Sequence, residues 1–400
     1  MTIRHYYDDS YRWTFEANVV QASSDGTTHI AVLDASYFYP TSGGQPHDTG
    51  TLGAARVLDV NVRASDGAVV HALDAPIAEG PVVGVIDGVR RFDHMQQHTG
   101  QHILSQAFIR VANATTIGFH LGDETVSIDV NDATLSESAI ATAADATNQL
   151  ISANVPVRAW FPSAEELDAI ALRKVPDVEG ALRVVAIGDF DYSACGGTHV
   201  AQSGEVGLLA VVRVERMKRG TRIEFLAGHR ARDDYARKHA TVRALSGALT
   251  CAPGEIVDAV ARLSATVTES RRALAAYKER DLDEEARRLR AVASTHGDLR
   301  VVRGTFADRP IDEVKGLALR LTDEPGVVVL FALAGSRTQL IFARAQGVTA
   351  DIKPSFDHAL AALGGGKGGG GRVLMGAAGA ADVATVDAVL SDAESLLRTT

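Results

Sequence analysis

Two pairs of potential metal ligands share one spacing in this sequence. His98 and His102 lie four residues apart in a segment whose pattern predicts a helix, so both imidazoles project from one helix face. Cys195 and His199 are also four residues apart, and the two glycines between them permit a tight loop. Either pair alone is a weak signal, but together three imidazoles and one thiolate form a tetrahedral set that suits Zn²⁺. The sequence therefore predicts one zinc site built from both pairs.

The number of these ligands raises a question about catalysis. Four protein ligands fill the coordination shell of a tetrahedral zinc ion, and closed sites of this kind are usually structural. A catalytic site would need a fifth coordination position, the displacement of one ligand, or a water molecule held beside the metal. The residues leave all three open.

Composition and length restrict the class of protein. The 400 residues have room for two or three domains, with 46% hydrophobic and 22% charged residues, as in ordinary globular proteins. No run of about 18 uninterrupted apolar residues is present, which argues against a membrane span. The N-terminus has acidic residues where a signal peptide needs a basic and then an apolar run. Two cysteines are too few for a disulfide framework, so we expect a cytoplasmic protein with no membrane partner.

The pattern of apolar residues changes along the chain and predicts an α+β fold. Short apolar runs between Gly, Asp and Ser turns indicate a β-rich, barrel-like N-terminal domain over residues 1–88. Helical and strand patterns mix over residues 89–228, which predicts a two-layer α+β domain that contains the zinc ligands. Residues 229–298 are rich in Ala, Arg and Glu and indicate a helical arm. Residues 299–400 are typical of a small α/β domain.

The predicted arm consists of two helices. Pro253 and Gly254 separate them, and the second helix carries apolar residues in nearly heptad spacing with Ser270 as the gap: Ile256, Val260, Leu263, Val267, Leu274 and Tyr277. This spacing predicts an antiparallel arm or a dimer seam, and a helix packed on its own domain is the alternative. A homodimer through the arm or the C-terminal domain is accordingly expected.

The charge of the chain bears on nucleic-acid binding. The formal net charge is −10, so RNA could bind only where basic residues cluster. One such cluster contains Arg213, Arg216, Lys218, Arg219 and Arg222, diluted by Glu215. We predict phosphate contacts for Arg216, Lys218, Arg219 and Arg222. The alternative is a solvated face, as in most basic runs.

Four motifs follow one another along the chain: the glycine motif Phe38–Gly50, the segment His98–His102, the stretch Thr116–Gly122 followed by Ser127–Asp129, and the segment Cys195–His199. Together and in this order they resemble the AlaX family, the freestanding homologues of the editing domain of alanyl-tRNA synthetase. The resemblance implies hydrolysis of the ester that joins serine or glycine to the 3′ end of tRNA(Ala). It also implies that His98, His102, Cys195 and His199 bind zinc at the editing pocket.

The same resemblance suggests residues that act on the substrate. Gln45, with Gly43 and Gly44 before it, matches the polar residue expected near the substrate, and Cys195 and Gln45 are the expected catalytic residues. Many family members have Gly where this chain has Ser42, a mild departure. Thr116 is a candidate for binding the serine hydroxyl, with a plain strand residue as the alternative. The general base is unidentified: the candidates include a neutral histidine such as His94 or His120, or the neighbouring tRNA hydroxyl.

A glycine run near the C-terminus, residues 364–371, offers two readings. It fits neither a dinucleotide fingerprint, because it follows a helix, nor a P-loop, because glycine follows Lys367. A flexible linker is one reading. The run also resembles a glycine-rich loop in the C-terminal domain of alanyl-tRNA synthetases, which implies tRNA contact through its amides with Lys367 and Arg372.

Two other functions compete with editing of Ser-tRNA(Ala). One is a non-catalytic tRNA-binding protein with a structural zinc site, and the other is a hydrolase for another mischarged tRNA. Because the glycine motif begins by residue 38, we expect no aminoacylation activity.

Overall fold

The computed structural model describes residues 2–24, 29–174, 180–366 and 368–397, and it divides into two compact units, Met1–Ala248 and Leu249–Thr400. Both units combine helices with sheets, which confirms the α+β class. Within the described residues, no helix combines the length and the apolar character that a membrane crossing requires. The finer division into four domains stays a prediction.

The N-terminal unit begins with a closed barrel of six strands in the order β2-β3-β7-β6-β5-β8, beside a short parallel pair, β1 and β4. The strands are β1 (Ile3–Arg4), β2 (Thr14–Ser24), β3 (His29–Leu33), β4 (Ala35–Ser36), β5 (Gly50–Leu52), β6 (Ala55–Val62), β7 (Val69–Leu73) and β8 (Gly80–Ile86). Alternate residues of β2, Phe15, Ala17 and Val19, are buried, as the period of a strand requires. The closed barrel agrees with the predicted barrel-like character of this region, and its bounds as a separate domain stay a prediction.

A long helix, α1 (Gly88–Ala112), follows the barrel. The side chain of Asp87 caps it by accepting hydrogen bonds from the backbone N–H groups of Val89 and Arg90. Nearly every residue from Arg91 to Phe108 is buried, including the polar ones. Since a buried polar side chain is costly unless it is hydrogen-bonded, α1 must meet polar partners on several sides.

The rest of this unit contains two antiparallel sheets. Its elements are β9 (Thr116–Leu121), β10 (Val126–Val130), α2 (Glu137–Ala153), β11 (Val157–Trp160), α3 (Ala164–Ala169), β12 (Val184–Ile187), β13 (Asp191–Ala194), β14 (Leu209–Met217) and β15 (Gly220–Ala227). One sheet has the order β14-β15-β10-β9 and packs on α1, and the other has the order β11-β12-β13. The alternation of apolar and polar residues does not indicate β13, because its buried residues Asp191 and Ser193 are polar.

Pro253 and Gly254 separate two helices, as predicted: α4 (Gly228–Leu249) and α5 (Ile256–Ala291). The heptad side chains on α5 are 42% to 67% exposed at Val260, Leu263, Val267, Leu274 and Tyr277. Packing on the helix's own unit therefore does not account for this stripe, although Leu282 and Ala286 further along α5 are part of a core of the C-terminal unit. The antiparallel arm and the dimer seam stay predictions.

The C-terminal unit is built on a five-stranded sheet in the order β16-β17-β18-β19-β20, in which only β17 and β18 are parallel. Its elements are β16 (Ser294–His296), β17 (Leu299–Phe306), α6 (Ile311–Thr322), β18 (Val327–Leu333), β19 (Gln339–Arg344), α7 (Lys353–Ala362), β20 (Val373–Ala377) and α8 (Val383–Leu396). Two cores lie against the sheet, one with α5 and α6 and one with α7 and α8. Strand β16 lies in the segment that the sequence assigned to the helical arm.

The glycine run packs against α7. A Cβ atom added to Gly368 would lie 2.5 Å from the Phe356 ring, and the backbone N–H of Gly369 donates to the carbonyl of Met375. Glycines packed in this way differ from a flexible linker, which was one of the two interpretations of the run. Arg372 is exposed, and Lys367 lies outside the described residues, so tRNA contact through these two stays a prediction.

Candidate metal centre

Four potential ligands, predicted from two distant motifs, meet in the N-terminal unit. His98 and His102 come from α1, and Cys195 and His199 come from the loop after β13. Their ligand atoms all lie within 4.8 Å of one another. The Cys195 Sγ atom is 3.5 Å from His98 Nε2 and 3.4 Å from His199 Nε2. A tetrahedron with bonds of about 2.0–2.3 Å separates its ligand atoms by about 3.3–3.8 Å, so these donors fit a zinc ion.

Each histidine is oriented by a partner at its other ring nitrogen. The Nδ1 atom of His98 is 2.8 Å from Gln45 Oε1, that of His102 is 3.3 Å from Asp191 Oδ2, and that of His199 is 3.1 Å from Thr99 Oγ1. Partners that accept a hydrogen bond from Nδ1–H leave the Nε2 lone pair for a metal ion. These contacts fit the tautomer that a metal site requires, with the proton on Nδ1.

Ionisation of the ligands also suits a metal ion. Burial alone would raise the pKa of the Cys195 thiol, but the imidazoles of His98, His199 and His102 lower that pKa well below its usual value. The thiolate is the form that binds metals. Burial lowers the pKa of His199 to about 3, which keeps this imidazole neutral. Thiolate and neutral imidazole are the protonation states that zinc coordination needs. Burial lowers the pKa of His102, but the Cys195 thiolate and the hydrogen bond to Asp191 outweigh this and raise it, so metal binding at this ring would release a proton.

Asp191 orients the His102 ring and is itself held by neighbouring side chains. Its carboxylate accepts a hydrogen bond from Ser193 Oγ at 2.9 Å and lies 3.6 Å from Arg173 Nε. Burial raises the pKa of Asp191, but the hydrogen bond from His102 and the charge of Arg173 outweigh this and hold it below the usual value. Arg173 also donates to the backbone carbonyl of His102 at 2.9 Å. A buried carboxylate is thus kept ionised where it orients a ligand.

We expect Asp191→Asn to weaken zinc binding about 10- to 100-fold, the usual cost of losing a residue that supports a metal ligand. The amide can still accept from His102, but it lacks the charge that strengthens the bond. Competition with a chromogenic chelator measures the affinity. Asp189→Asn is the matched control, because Asp189 is exposed and close in sequence but contacts no ligand side chain. Equal affinity of both variants and the wild type would show that Asp191 does not support the site.

Arg183 holds the loop that carries Cys195. Its Nη1 atom donates to the backbone carbonyls of Cys195, at 3.1 Å, and Gly197, at 2.8 Å. Within this loop a Cβ atom on Gly197 would lie 2.2 Å from His98 Cε1 and 2.9 Å from Gln45 Oε1. Glycine at position 197 therefore allows the loop to approach α1 closely enough for the two ligand pairs to meet.

The glycine motif forms a tight turn beside the centre. Ser42 and Gln45 exchange backbone hydrogen bonds across Gly43 and Gly44, whose φ angles are +56° and +87°. Two successive positive φ angles suit a type I′ turn, which favours glycine. Gly44 lies against Phe119, whose ring is stacked 5.2 Å from that of His98. The turn is exposed and close to the ligands, and its contact with substrate stays a prediction.

Gln45 itself is completely buried. Its Oε1 atom accepts from His98 Nδ1 and, at 3.2 Å, from the backbone N–H of Thr198, and its Nε2 atom donates to Thr198 Oγ1 at 2.8 Å. The structure thus places Gln45 behind a ligand, in a positioning role that the sequence did not suggest. Its catalytic and substrate-binding roles stay predictions, and direct contact with substrate would require some of these hydrogen bonds to break.

The remaining candidate residues differ in surroundings. Thr116 is half-buried and donates from its hydroxyl to Ser105 Oγ at 2.7 Å. His94 lies one turn before His98 on α1 and is completely buried; neither of its ring nitrogens has a hydrogen-bond partner among the described residues. Burial lowers the pKa of His94 to about 4, so it is neutral at neutral pH. His120 is exposed. Substrate binding by Thr116 and proton transfer by His94 or His120 stay predictions.

The basic cluster lies on the hairpin of β14 and β15. Arg213 is paired with Glu215 and Glu224, and Arg222 binds Asp129 through two hydrogen bonds of 2.7 and 2.8 Å. Three exposed cations, Arg216, Lys218 and Arg219, have no acidic partner in the part of the chain that the structure describes. We call these three the hairpin cations. They are the cations most available to phosphate, and RNA contact of all four predicted residues stays a prediction.

The supporting residues Thr99, Thr198 and Asp191 were missed by sequence reasoning. Two of them adjoin a ligand in sequence, since Thr99 follows His98 and Thr198 precedes His199. The acid four residues before Cys195 was also visible in the sequence. Spacing alone could not show that Thr99 and Asp191 meet histidine rings or that Thr198 meets Gln45.

Comparisons with known proteins agree with this geometry. Residues 182–224 match the family model "Threonyl and Alanyl tRNA synthetase second additional domain". The chain is 29% identical to Alanyl-tRNA editing protein AlaX-L of Pyrococcus horikoshii over 391 residues, 92% of this chain and 93% of that protein. It is 31% identical to Alanyl-tRNA editing protein Aarsd1 of Mus musculus over 273 residues, 64% of this chain and 66% of that protein.

Longer proteins are also similar to the chain. It is 30% identical to Alanine--tRNA ligase of Natronomonas pharaonis over 357 residues, 82% of this chain but 37% of that protein. The chain thus spans less than half the length of the ligases that it matches. The C-Ala domain from Aquifex aeolicus alanyl-tRNA synthetase covers 27% of this chain and 95% of that domain at 22% identity, with a TM-score of 0.23, too low to establish a shared fold. The chain is thus similar to an alanyl-tRNA editing protein over nearly the whole length of both proteins.

Proposed function

We propose that the protein is a zinc-dependent trans-editing hydrolase that cleaves the ester of mischarged Ser-tRNA(Ala), with Gly-tRNA(Ala) as a second substrate. The observation that carries the proposal is the four-ligand cluster beside the exposed Gly43–Gly44 turn. The names of the relatives AlaX-L and Aarsd1 support the reaction class and the tRNA. We also propose Zn²⁺ as the ion, since three imidazoles and a thiolate are ligands that zinc prefers.

The residues of the chain account for much of the chemistry that hydrolysis of an ester requires. A bound zinc ion would supply Lewis-acid stabilisation of the charge that develops on the ester oxygen. Gln45, Asp191 and Thr99 keep the three imidazoles in place, so little reorganisation accompanies the reaction. Thr116 is proposed to bind the serine hydroxyl, and Gly43 and Gly44 to approach the terminal ribose. The proton acceptor is left to the neighbouring tRNA hydroxyl or to a histidine.

The test is deacylation of Ser-, Gly- and Ala-tRNA(Ala) by the purified protein, before and after zinc is removed with a chelator and restored. We expect release of serine and glycine but not alanine, and loss of activity that zinc restores. No turnover in any state would favour the non-catalytic tRNA-binding protein with a structural zinc. Equal cleavage of a seryl ester on threonine tRNA would favour a hydrolase for another mischarged tRNA.

Replacing the hairpin cations together, as Arg216→Gln, Lys218→Gln and Arg219→Gln, is expected to flatten the salt dependence of tRNA binding. If each cation binds one phosphate, the slope of log Kd against log salt should fall by about 2, since each lost contact contributes about 0.7. Binding titrations at several salt concentrations measure this slope.

A triple variant on α4 is the control for net charge. Arg232, Arg237 and Lys238 are also exposed but paired with Asp233 or Asp234, so their conversion to Gln should change the slope little. If both triple variants flatten the slope equally, overall charge and not the hairpin determines tRNA binding, and the cluster is a solvated face.

Three further predictions accompany the proposal. A homodimer through α5 or the C-terminal unit is tested by the mass of the protein in solution. Absence of aminoacylation is tested by an ATP-dependent charging assay with alanine and tRNA(Ala). Cytoplasmic location is tested by fractionation of cells that produce the protein.

A further inference from the structure

Two aromatic side chains form a ledge on the surface of the N-terminal unit. Phe161 follows β11 and is 47% exposed, which is unusual for so large an apolar side chain. Its ring meets that of Tyr7 edge to face, with 5.6 Å between ring centroids. We call Tyr7 and Phe161 the aromatic ledge. It has no part in the chemistry described above.

The ledge is attached to the loop that carries Cys195. Arg183 donates to the backbone carbonyl of Tyr7 at 3.1 Å and, through its other terminal nitrogen, to the carbonyls of Cys195 and Gly197. The same guanidinium lies 5.3 Å from the centroid of the Tyr7 ring. A Cβ atom on Gly196 would lie 3.6 Å from the Tyr7 hydroxyl. The buried side chain of Arg183 therefore fixes the position of Tyr7 relative to the loop that carries Cys195.

The ledge also lies on the side where the metal cluster is open. Of the four ligands, His98, His102 and His199 are buried, whereas Cys195 is partly exposed and Gly196 beside it is exposed. The solvent-accessible part of the cluster, at Cys195 and Gly196, therefore lies next to Tyr7.

We propose that the aromatic ledge is a subsite for the 3′-terminal base of the RNA strand that carries the ester. Phe161 and Tyr7 offer the aromatic surface on which single-stranded bases stack, and stacking tolerates any base. A base held there places the ribose, and the ester on it, at the Cys195 side of the cluster. The inference rests on the proposed function, because it is the hydrolysed ester that requires a nucleotide at this position.

The test compares Phe161→Ala with Phe161→Trp, which keeps a stacking surface, in deacylation of a seryl acceptor hairpin. For Phe161→Ala we expect KM to rise about 5- to 100-fold, as when one base–aromatic stack is lost, with kcat and zinc content unchanged. Phe161→Trp should keep the wild-type KM. Tyr235→Ala is the matched control, because Tyr235 is 64% exposed on α4 and away from the ledge. An unchanged KM for Phe161→Ala, or a loss of zinc in that variant, would overturn the proposal.

A binding measurement separates this inference from the proposed function. Fluorescence anisotropy compares an uncharged acceptor hairpin with the same hairpin lacking its last nucleotide. Wild-type protein should prefer the complete hairpin by about 5- to 100-fold, and Phe161→Ala should remove that preference. This result would support the ledge even if no ester were cleaved. Equal binding of both hairpins by the wild type would reject the ledge as a base subsite and favour an aromatic contact for a protein partner.

Discussion

Cys195→Ala is expected to remove tight zinc binding and to abolish deacylation. Loss of the thiolate removes the charged ligand of the set and leaves three imidazoles around the ion. The affinity should therefore fall by more than the roughly 10- to 100-fold that loss of a supporting residue causes. Metal content of the purified variant and its rate of Ser-tRNA(Ala) hydrolysis measure the two effects.

Cys251→Ala is the matched control for this substitution. The chain has two cysteines, and Cys251 lies between α4 and α5, outside the cluster. The control should keep both zinc and activity. If Cys195→Ala lost zinc but still cleaved the ester at the wild-type rate, the metal would be structural and the proposed mechanism would be wrong.

Gly197→Ala is expected to disrupt the centre although position 197 provides no ligand. The added Cβ would lie 2.2 Å from His98 Cε1 and 2.4 Å from its Nδ1, so His98 or the loop must move. Either movement separates His98 from Gln45 or from Cys195. We expect zinc affinity to fall by at least about 100-fold, the upper end of the cost of losing ligand support, and stability to fall by about 1–3 kcal/mol from overpacking.

Gly196→Ala is the neighbouring control for zinc affinity and stability. A Cβ at position 196 would have only ordinary contacts, 3.6 Å from the Tyr7 hydroxyl. Chelator competition and thermal unfolding with and without zinc should therefore give values close to wild type for Gly196→Ala and clearly lower values for Gly197→Ala. Similar losses in both variants would mean that the loop is generally intolerant and that the close approach to His98 is not the cause.

For Gln45 the motif predicted the location of the side chain but not its hydrogen-bond partners. The motif placed a polar side chain near the reaction, and the structure does place it at the centre. Its carbonyl oxygen, however, is directed to His98 and its amide nitrogen to Thr198, inside the protein. A motif indicates that a residue type is needed at a position. It does not show whether the side chain faces the substrate or lies behind a metal-binding histidine.

The sequence by itself determined the candidate ligands and the α+β class. Local patterns were enough for these, because the period of a helix puts residues four apart on one face and turns are marked by Gly, Pro and Asp. The break at Pro253 and Gly254, the barrel strands and the helix that carries His98 all follow from such local rules.

Only the tertiary structure decided which distant groups meet. Asp191 is polar and buried, so its strand shows no alternation of apolar and polar residues. Its role in the site depends on contact with His102, 89 residues earlier in the chain. The same holds for Arg183, which joins Tyr7 to the Cys195 loop across 176 residues of sequence. Hydrogen bonds of this kind depend on the packing of whole elements, and packing is a property of the fold that spacing along the chain does not contain.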